Sequence, residues 1–539
     1  MKNTPGYFRC LVGLFLFPFI FYGCKSPLPY FQVVHQSQKI RVSQQYIPVL
    51  KGVDNQVLEL GLELGSPNEL KEIRINIEDN EVIEGILIHQ LVGEGDQEKK
   101  IPLAAMAELK AVNSINIDKK LTEGMHRFSI SIIPTSEASL LDKVNVEIPE
   151  ITLGRKKYRP QAVNGPFLPL RLATRLRHHG DDGVHSFRIP GLVTTPQGTL
   201  IAVYDVRRNG STDLQGDIDV GMNRSTDGGK TWEPMKIIMD MEDWGDKPSH
   251  ENGIGDPAIL VDQHTNTIWV IALWAHGKPG EMIWNSSQAG IDPTETGQLM
   301  LVKSEDEGQS WSKPLNITAH VKNPAWKLLF NGPGKGIALQ DGTLVFAGQY
   351  KDENDLPHST IIYSQDQGKT WEIGTGAKSN TTEAQVVELN NGDLMLNMRD
   401  NRGGYRSVAT TSDLGKTWTA HSSSGTALIG PVCMGSLITF PENRKEEDAS
   451  WLFFSNPASS EERQYITIKA SKDQGSTWPK AHQVLLDSKI GWGYSCLAVL
   501  DKDHLAILYE SSQANMTFQI IKMEDILSTQ STKNTIIGK

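Results

Sequence analysis

Cysteine is scarce in this sequence, which has only four among 539 residues. Cys10 and Cys24 lie in the first 24 residues, so the rest of the chain contains only Cys433 and Cys496. Two thiols cannot form a disulfide framework, and the apolar residues around each predict a buried free cysteine. The Cys and His residues also match no metal-ligand spacing, so we expect neither a metal nor another cofactor.

Basic residues are outnumbered by acidic ones. The 53 Lys and Arg against 64 Asp and Glu give a formal net charge of −11. A nucleic acid is excluded as the partner because phosphate neutralisation requires a basic surface. An anionic substrate would require a local cluster of Arg that acts against this unfavourable overall field. The length suits a large repeat-built domain with a smaller one attached.

Hydrophobic residues form a long uninterrupted run only at positions 10–22, after two basic residues. This run is too short to span a bilayer comfortably and is typical of a signal peptide. It ends beside Cys24 in a sequence that resembles a bacterial lipobox, although Tyr22 is bulky for its position. We expect residues 1–23 to be a lipoprotein signal peptide and Cys24 to be lipidated. The lipid would be the protein's only membrane attachment, on the periplasmic or cell-surface side of an outer membrane. Simple secretion with cleavage elsewhere is the alternative.

Residues 24–155 contain segments in which apolar and polar residues alternate with a period of two. Such alternation predicts half-buried β-strands, and the polar or Gly-containing turns between them favour an antiparallel β-sandwich. The clearest of these segments are 58–64, 73–77, 128–132 and 144–148. The basic, Pro-containing stretch 156–169 is interpreted as a linker.

One motif, Ser/Thr-x-Asp-x-Gly-x-Ser/Thr-Trp, recurs in residues 170–539. Its five copies begin at Ser225, Ser304, Ser364, Thr411 and Ser471. The Asp can accept backbone hydrogen bonds across a tight turn, the Gly permits a positive φ, and the Trp packs beneath. The motif is therefore interpreted as structural rather than catalytic. Five copies, with one further sheet lacking the motif, predict an all-β protein with a six-bladed β-propeller.

These repeats, known as Asp boxes, follow a Phe-Arg-Ile-Pro segment at 187–190. Together they resemble the bacterial exo-sialidase (neuraminidase) family over residues 175–525. The resemblance implies a glycoside hydrolase that removes terminal sialic acid from glycoproteins, glycolipids or oligosaccharides by a retaining mechanism. It makes sialylated glycans the expected partners. The N-terminal module resembles the carbohydrate-binding-like modules that precede many propellers of this family.

Dispersed residues make the resemblance specific. Sialic acid has a carboxylate on its anomeric carbon, and the planar fork of Arg pairs with a carboxylate bidentately. The family uses three Arg residues from separate blades, which match Arg188, Arg399 and, more loosely, Arg463. Arg207 matches an additional Arg near the carboxylate and the 4-hydroxyl group. Asp256 matches a recurring acid near the substrate pocket.

The expected catalytic residues also follow from the resemblance. A carboxylate nucleophile would be repelled by the substrate carboxylate, whereas a phenol avoids this repulsion if a base takes its proton. The family's Tyr–Glu pair matches Tyr494 and Glu383, and its general acid, on a mobile loop, matches Asp213. The rejected neighbours are Asp205, Asp217, Asp219, Arg208, which faces away, and Glu388, which faces solvent.

Other interpretations stay open. Trp274, Trp284 and Gln349 are further candidates for lining a sugar pocket. A trans-sialidase or a hydrolase of a related keto-sugar acid would use the same fold. A non-catalytic sialoglycan-binding propeller would be favoured if the acid, base or nucleophile were missing, but the sequence has a candidate for each.

Overall fold

The structure is a computed structural model that describes residues 33–35, 38–78, 80–160, 167–245, 247–276, 280–440 and 450–528. Cys24 and the leader 1–23 lie outside these ranges, so lipidation stays a prediction. No helix in the described ranges is long and apolar enough to cross a membrane. The α-helices are single turns, Ile283–Ser286, Thr318–Val321 and Met523–Leu527, and the 3-10 turns are Asn80–Val82, Gly95–Gln97, Asp181–Gly183, Ser249–Glu251 and Lys480–His482.

The N-terminal part of the chain forms two antiparallel sheets. In spatial order, the first contains Val33–His35, Gln38–Gln44, Asn55–Leu64, Gly124–Pro134, Ile83–Val92 and Lys99–Met106. The second contains Lys156–Tyr158, Lys143–Leu153, Asn68–Glu78 and Val112–Leu121. All four segments predicted from alternation lie within these strands. Their inward residues, such as Leu60, Ile75 and Phe128, are fully buried in one shared core, which explains the period of two.

The prediction that residues 156–169 form a linker is wrong for the first three of these residues. Lys156–Tyr158 pairs antiparallel with Lys143–Leu153 and therefore belongs to the N-terminal sheets. Exposed lysines on a short edge strand protect the edge from pairing with other chains, and in the sequence they resemble a solvated linker. Leu170–Arg177 then pairs with Lys143–Leu153 and also, in parallel, with the short strand Val49–Leu50. The two parts of the chain are thus joined by main-chain hydrogen bonds.

From residue 186 onward, the described chain builds sheets mainly from strands that follow one another in sequence, although Gly334–Lys335 returns to the sheet before it. The first contains Ser186–Thr194, Leu200–Arg207, Ile218–Ser225 and Lys236–Met239, and the second contains Asn252–Asp262, Thr267–His276, Gln298–Ser304, Leu315–Asn316 and Gly334–Lys335. The third contains Leu328–Asn331, Ile337–Ala338, Leu344–Lys351, Pro357–Ser364, Glu372–Ile373 and Lys378–Ser379. The next two contain Thr381–Glu388, Leu394–Asp400, Ser407–Thr411 and Thr419–Ala420, then Ser436–Phe440, Trp451–Pro457, Ile466–Ser471 and Gln483–Asp487.

The last sheet joins the two ends of this region. Its strands Ser495–Val499, His504–Tyr509 and Met516–Lys522 come from the C-terminal end, and Leu170–Arg177 adds a fourth strand. Thr174 pairs with Phe518 in this antiparallel contact. The strand that begins the region therefore completes the sheet that ends it, which leaves fewer unpaired edges.

The five Asp boxes form the same local structure, and each begins at the last residue of a strand. In the first copy, Asp227 accepts hydrogen bonds from Thr231 N (3.0 Å) and Ser225 Oγ (2.8 Å). The other four repeat this pattern. In the second copy, the hydrogen bonds from Ser310 lower the pKa of Asp306 to about 2. The structural interpretation of the motif is confirmed, because its Asp residues are occupied by the turn.

Candidate active site

The predicted site residues occupy equivalent places in different sheets. In antiparallel sheets the start of one strand and the end of the next lie at the same edge. First strands contribute Arg188, Asp256 and Glu383, and Tyr494 directly precedes the first strand of the last sheet. The ends of second strands contribute Arg207 and Arg399. Asp213 and Arg463 lie in loops between second and third strands, which are at that same edge. This topology explains how residues far apart in the sequence come together.

Three of the first strands are irregular at the site. Their pairing registers shift between Arg188 and Gly191, Gly255 and Ala258, and Thr381 and Ala384. Ile189 and Asp256 have φ angles of +63° and +54°, and this backbone conformation is costly for a β-branched residue such as Ile. Bulges redirect side chains and are frequent beside active sites. Here they turn the neighbouring Arg and acidic side chains into the site.

Tyr494 and Glu383 form the predicted pair. The Tyr494 hydroxyl donates a short hydrogen bond to Glu383 Oε1. Arg399 Nη1 donates to Glu383 Oε2 at 2.6 Å and to Tyr494 Oη at 2.9 Å. Burial raises the pKa of Tyr494 well above its usual value, and the Glu383 carboxylate raises it further, although Arg399 opposes the shift. Tyr494 is therefore a neutral phenol at neutral pH, and its hydroxyl is hydrogen-bonded to a carboxylate that can take its proton.

Arg188 is held by a residue that the sequence analysis missed. Its Nε donates to Glu510 Oε1 at 2.6 Å, and Glu510 is fully buried. Glu510 also accepts hydrogen bonds from the backbone N–H of Ile189 (2.9 Å) and of Tyr494 (3.1 Å). It therefore fixes the first Arg, the strained residue after it, and the backbone of the tyrosine. Glu510 directly follows the buried strand His504–Tyr509, and an acid in that position was the only signal in the sequence.

Arg207 bridges two carboxylates. It is buried, and it donates to Asp205 Oδ2 from Nε (3.0 Å) and Nη2 (2.8 Å) and to Asp213 Oδ1 from Nη1 (2.8 Å). Asp205 is fully buried behind Arg207 and holds the guanidinium in position. The Asp213 side chain is 67% exposed on its loop. Partial burial raises the pKa of Asp213, but Arg207, Arg188 and Arg399 together lower it below its usual value, which favours the ionised carboxyl group.

Asp256 has a different environment. Its backbone N–H donates to Asp205 Oδ1 (2.8 Å), and its carbonyl accepts from Asn331 Nδ2 (2.6 Å). Its side chain has no hydrogen-bond partner among the described residues and lines the cavity. Burial raises the pKa of Asp256 well above its usual value, and the nearby carboxylates of Asp205 and Asp213 raise it further. A protonated Asp256 can donate a hydrogen bond to a ligand oxygen.

Arg463, the loosest match, also lies at the site. Its Nη1 donates to the carbonyl of Trp492 (3.1 Å) and its Nη2 to that of Val432 (3.2 Å). Its guanidinium carbon is 5.6 Å from the centre of the Tyr494 ring. Within the described ranges it pairs with no carboxylate, whereas Arg188 and Arg399 each do. The positive charge of Arg463 is therefore available to an anionic ligand.

The rejected neighbours lie away from the reacting groups. Arg208 pairs with Asp219 at 2.5 Å and approaches Asp217 at 3.7 Å, so it faces away from the site as expected. Glu388 faces solvent only in part. Glu388 is half-buried at the far end of its strand, where it accepts a hydrogen bond from the backbone N–H of Gln340. It takes no part in the site.

A cavity of about 410 Å³ lies at this site, and Arg188, Arg207 and Arg463 are not among the residues that line it. Its charged and polar wall contains Asp213, Asp256, Glu383, Arg399 and Tyr494. The rest is mainly apolar and includes Leu273, Met282, Ile283, Trp284, Leu328 and Phe330, with Gln349 beside them. Of the further candidates, Trp284 and Gln349 thus line the cavity, whereas Trp274 is buried against Trp244. Such a cavity suits a carboxylated sugar with one charged and one less polar side.

No group of three or more His, Cys, Asp or Glu residues in the described ranges could hold a metal ion. Cys433 and Cys496 are free and buried, as predicted. The Cys433 side chain packs with Ile189, Met434 and Tyr494, and burial raises the pKa of its thiol to about 11. This thiol is therefore neutral and contributes packing behind Tyr494.

Comparisons with known proteins agree with this geometry. Residues 190–507 match the model of the BNR repeat-like domain. A sialidase of Bacteroides fragilis (strain YCH46) is 51% identical over 410 residues, which are 76% of this chain and 75% of that protein. A sialidase of Micromonospora viridifaciens is 32% identical over 354 residues, 64% of this chain and 52% of the other.

Solved structures show the same relationship. The Hadza microbial sialidase Hz136 superposes with a TM-score of 0.85 and 41% identity, over 90% of this chain and 100% of that one. Trypanosoma rangeli sialidase, at 22% identity and a TM-score of 0.54, covers 64% of this chain and 58% of its own and shares the fold. The protein is thus an all-β propeller protein of the BNR-repeat class. Within that class, the chain belongs to the sialidase family.

Proposed function

We propose that this protein is an exo-α-sialidase that hydrolyses terminal sialic acid from glycans and retains the configuration at the anomeric carbon. The observation that carries this proposal is the hydrogen-bonded group of Tyr494, Glu383 and Arg399 in the wall of a sugar-sized cavity. A tyrosine paired with a buried carboxylate suits a substrate whose own carboxylate would repel a carboxylate nucleophile.

The first step forms a glycosyl–enzyme bond. Arg188, Arg399 and Arg463 hold the substrate carboxylate. Tyr494 Oη bonds to the anomeric carbon as the glycosidic C–O bond breaks, and Glu383 takes the phenolic proton. Asp213 gives its proton to the departing oxygen. In the second step, water attacks the anomeric carbon as the bond from that carbon to Tyr494 Oη breaks. Asp213 takes a proton from the water, and Glu383 returns the proton to Tyr494. The products are free sialic acid and the shortened glycan.

Asp213 must be protonated when the substrate is bound, although Arg207 lowers its pKa in the free protein. A bound substrate brings another carboxylate next to this cluster. That negative charge competes for the nearby Arg residues and raises the pKa of Asp213. The exposed Asp213 loop has room to move the acid from Arg207 to the glycosidic oxygen.

Hydrolysis of sialosides tests the function, and Asp213→Asn tests the acid. We expect release of sialic acid, with the α-anomer formed first in proton NMR. Asp213→Asn should lower kcat/KM on sialyllactose by about 10²–10⁴-fold. The loss should be far smaller on an aryl sialoside, whose leaving oxygen needs little protonation. Equal losses would contradict the acid role, and sialyl transfer to added acceptor instead of hydrolysis would identify a trans-sialidase.

We also propose the finer architecture. The five sheets that begin at residue 186, together with the sheet that Leu170–Arg177 completes, are the six blades of the propeller. The two N-terminal sheets, which share one core, are a β-sandwich of the carbohydrate-binding type. The support for sugar binding by this sandwich is its resemblance to the modules that precede related propellers.

The apolar leader and Cys24 support a lipid anchor at the outer membrane. We expect the wild-type protein to sediment with membranes and its N-terminal peptide to contain a lipidated Cys24. Cys24→Ala should shift the protein to the soluble fraction or leave it unprocessed, because the acyl acceptor is lost. Cys10→Ala is the control, since that residue lies inside the leader and is removed with it. Identical fractionation of Cys24→Ala and wild type would rule out the anchor.

A further inference from the structure

Trp492 differs from the other tryptophans of this protein. All 12 lie in the described ranges, and the others are buried or half-buried. Trp492 is 43% exposed, and the adjacent Ile490 is 59% exposed. An exposed indole contributes little to folding, and isolated large aromatic surfaces beside a cavity are typical of ligand contacts.

The Trp492 ring is nevertheless held in a defined position. The backbone N–H of Gly491 donates to the Arg463 carbonyl (3.0 Å), and the Trp492 carbonyl accepts from Arg463 Nη1 (3.1 Å). Gly493, with φ +87°, donates to the Glu510 carbonyl (3.3 Å). The ring covers the Arg188 guanidinium, whose carbon is 4.3 Å from the ring centre. Trp492 is therefore fixed on the outer side of the Arg residues that bind the carboxylate.

The covalent structure of a sialoside indicates which part of the substrate would lie near the Trp492 ring. In a sialoside, the anomeric carbon bears both the carboxylate and the glycosidic oxygen. The leaving sugar therefore begins two bonds from the carboxylate carbon. Trp492 does not line the cavity that would hold the sialic acid, but it covers one of the residues that would hold its carboxylate. An exposed aromatic ring beside the carboxylate-binding residues is therefore a candidate contact for the leaving sugar.

We infer that Trp492 binds the sugar next to sialic acid by stacking its indole on the apolar C–H face of a neutral hexose, such as galactose. This inference rests on the proposed sialidase function and assigns a leaving-group subsite to it. A neutral ring suits the contact, because the two adjacent cations, Arg188 and Arg463, are both occupied by the carboxylate. The exposed side chain of Ile490 extends the apolar rim.

Two substrates that differ only in the leaving group test the assignment. Sialyllactose presents a hexose to Trp492, whereas methyl α-sialoside presents a methyl group. We expect Trp492→Ala to lower kcat/KM on sialyllactose by roughly 10-fold, mainly through KM, and to have a much smaller effect on the methyl sialoside. Trp492→Phe should restore most of the loss because it keeps an aromatic face. Leu315→Ala is the control, because Leu315 is an exposed apolar residue (53%) on an outer strand away from the site.

The kinetic results distinguish a leaving-group subsite at Trp492 from a purely structural role of this residue. Equal losses on both substrates would mean that Trp492 only supports Arg188, and the assignment would be wrong. Unchanged kinetics on both would also overturn it, as would a Phe variant as impaired as the Ala variant. If the wild type hydrolyses neither sialoside, the proposed function itself fails, which is a different result from failure of the subsite.

Discussion

We expect Tyr494→Phe to lower kcat on a sialoside by about 10³-fold or more while the protein stays folded. The change removes one oxygen that Glu383 and Arg399 both contact. Without it, no atom can bond to the anomeric carbon, and a carboxylate substitute would be repelled by the substrate. Binding of sialic acid should be largely preserved because the three Arg residues are untouched. Steady-state kinetics and a binding titration with sialic acid distinguish these two effects.

Tyr509→Phe is a matched control. Tyr509 is a fully buried tyrosine of the last sheet, and its hydroxyl donates to Gln519 Oε1 at 2.8 Å rather than to a residue of the site. Both variants lose a buried hydroxyl, so both should lose about 0.5–1.5 kcal/mol of unfolding free energy. Only Tyr494→Phe should lose activity.

Trapping identifies the nucleophile directly. A 2,3-difluorinated sialic acid should form a stable adduct with the wild-type protein, and peptide mass spectrometry should locate it on Tyr494. Tyr494→Phe should form no adduct. An adduct on Glu383 or Asp213 would show that the tyrosine is not the nucleophile, whatever the kinetics of the variant.

The features predicted well from sequence are those with local causes. The Asp box specifies its own turn, because the hydrogen bonds that its Asp accepts join residues two to four positions apart. Strand alternation between residues 58 and 148 follows from one face meeting a core. The site residues were found by a different route, since each lies in a short segment whose resemblance to a known family could be recognised.

The features missed depend on long-range contacts. Glu510 is 322 positions from Arg188, and no local pattern links them. The positive φ of Ile189 is also invisible in the sequence, because a β-branched residue before proline predicts an ordinary strand. The short strand Lys156–Tyr158 was missed because its pairing, not its composition, makes it a strand. In each case the local structure depends on contacts with residues that are not neighbours in the sequence.

The Arg188–Glu510 pair makes a second strong prediction. The Arg188 and Glu510 side chains are 5% and 0% exposed, and Arg188 Nε lies 2.6 Å from Glu510 Oε1. The Glu510 carboxylate therefore neutralises the buried positive charge of Arg188. Glu510→Gln leaves that charge without a counterion, which costs about 3–5 kcal/mol of unfolding free energy when one partner of a buried pair is removed. It also weakens the hydrogen bonds that hold the backbone of Ile189 and Tyr494, so kcat/KM should fall as well. Chemical denaturation and kinetics measure the two effects.

Two further variants separate stability from catalysis. Glu305→Gln breaks an exposed pair with Lys303, whose side chain is 43% exposed, and should change unfolding free energy by about 1 kcal/mol or less. The double variant Arg188→Met with Glu510→Gln removes both buried charges, so it should recover much of the stability lost in Glu510→Gln. It should stay nearly inactive because the substrate carboxylate has lost one of its three Arg residues. If the double variant instead recovered activity, Arg188 would not bind the carboxylate, and if Glu510→Gln were as stable as wild type, the pair would not hold the site together.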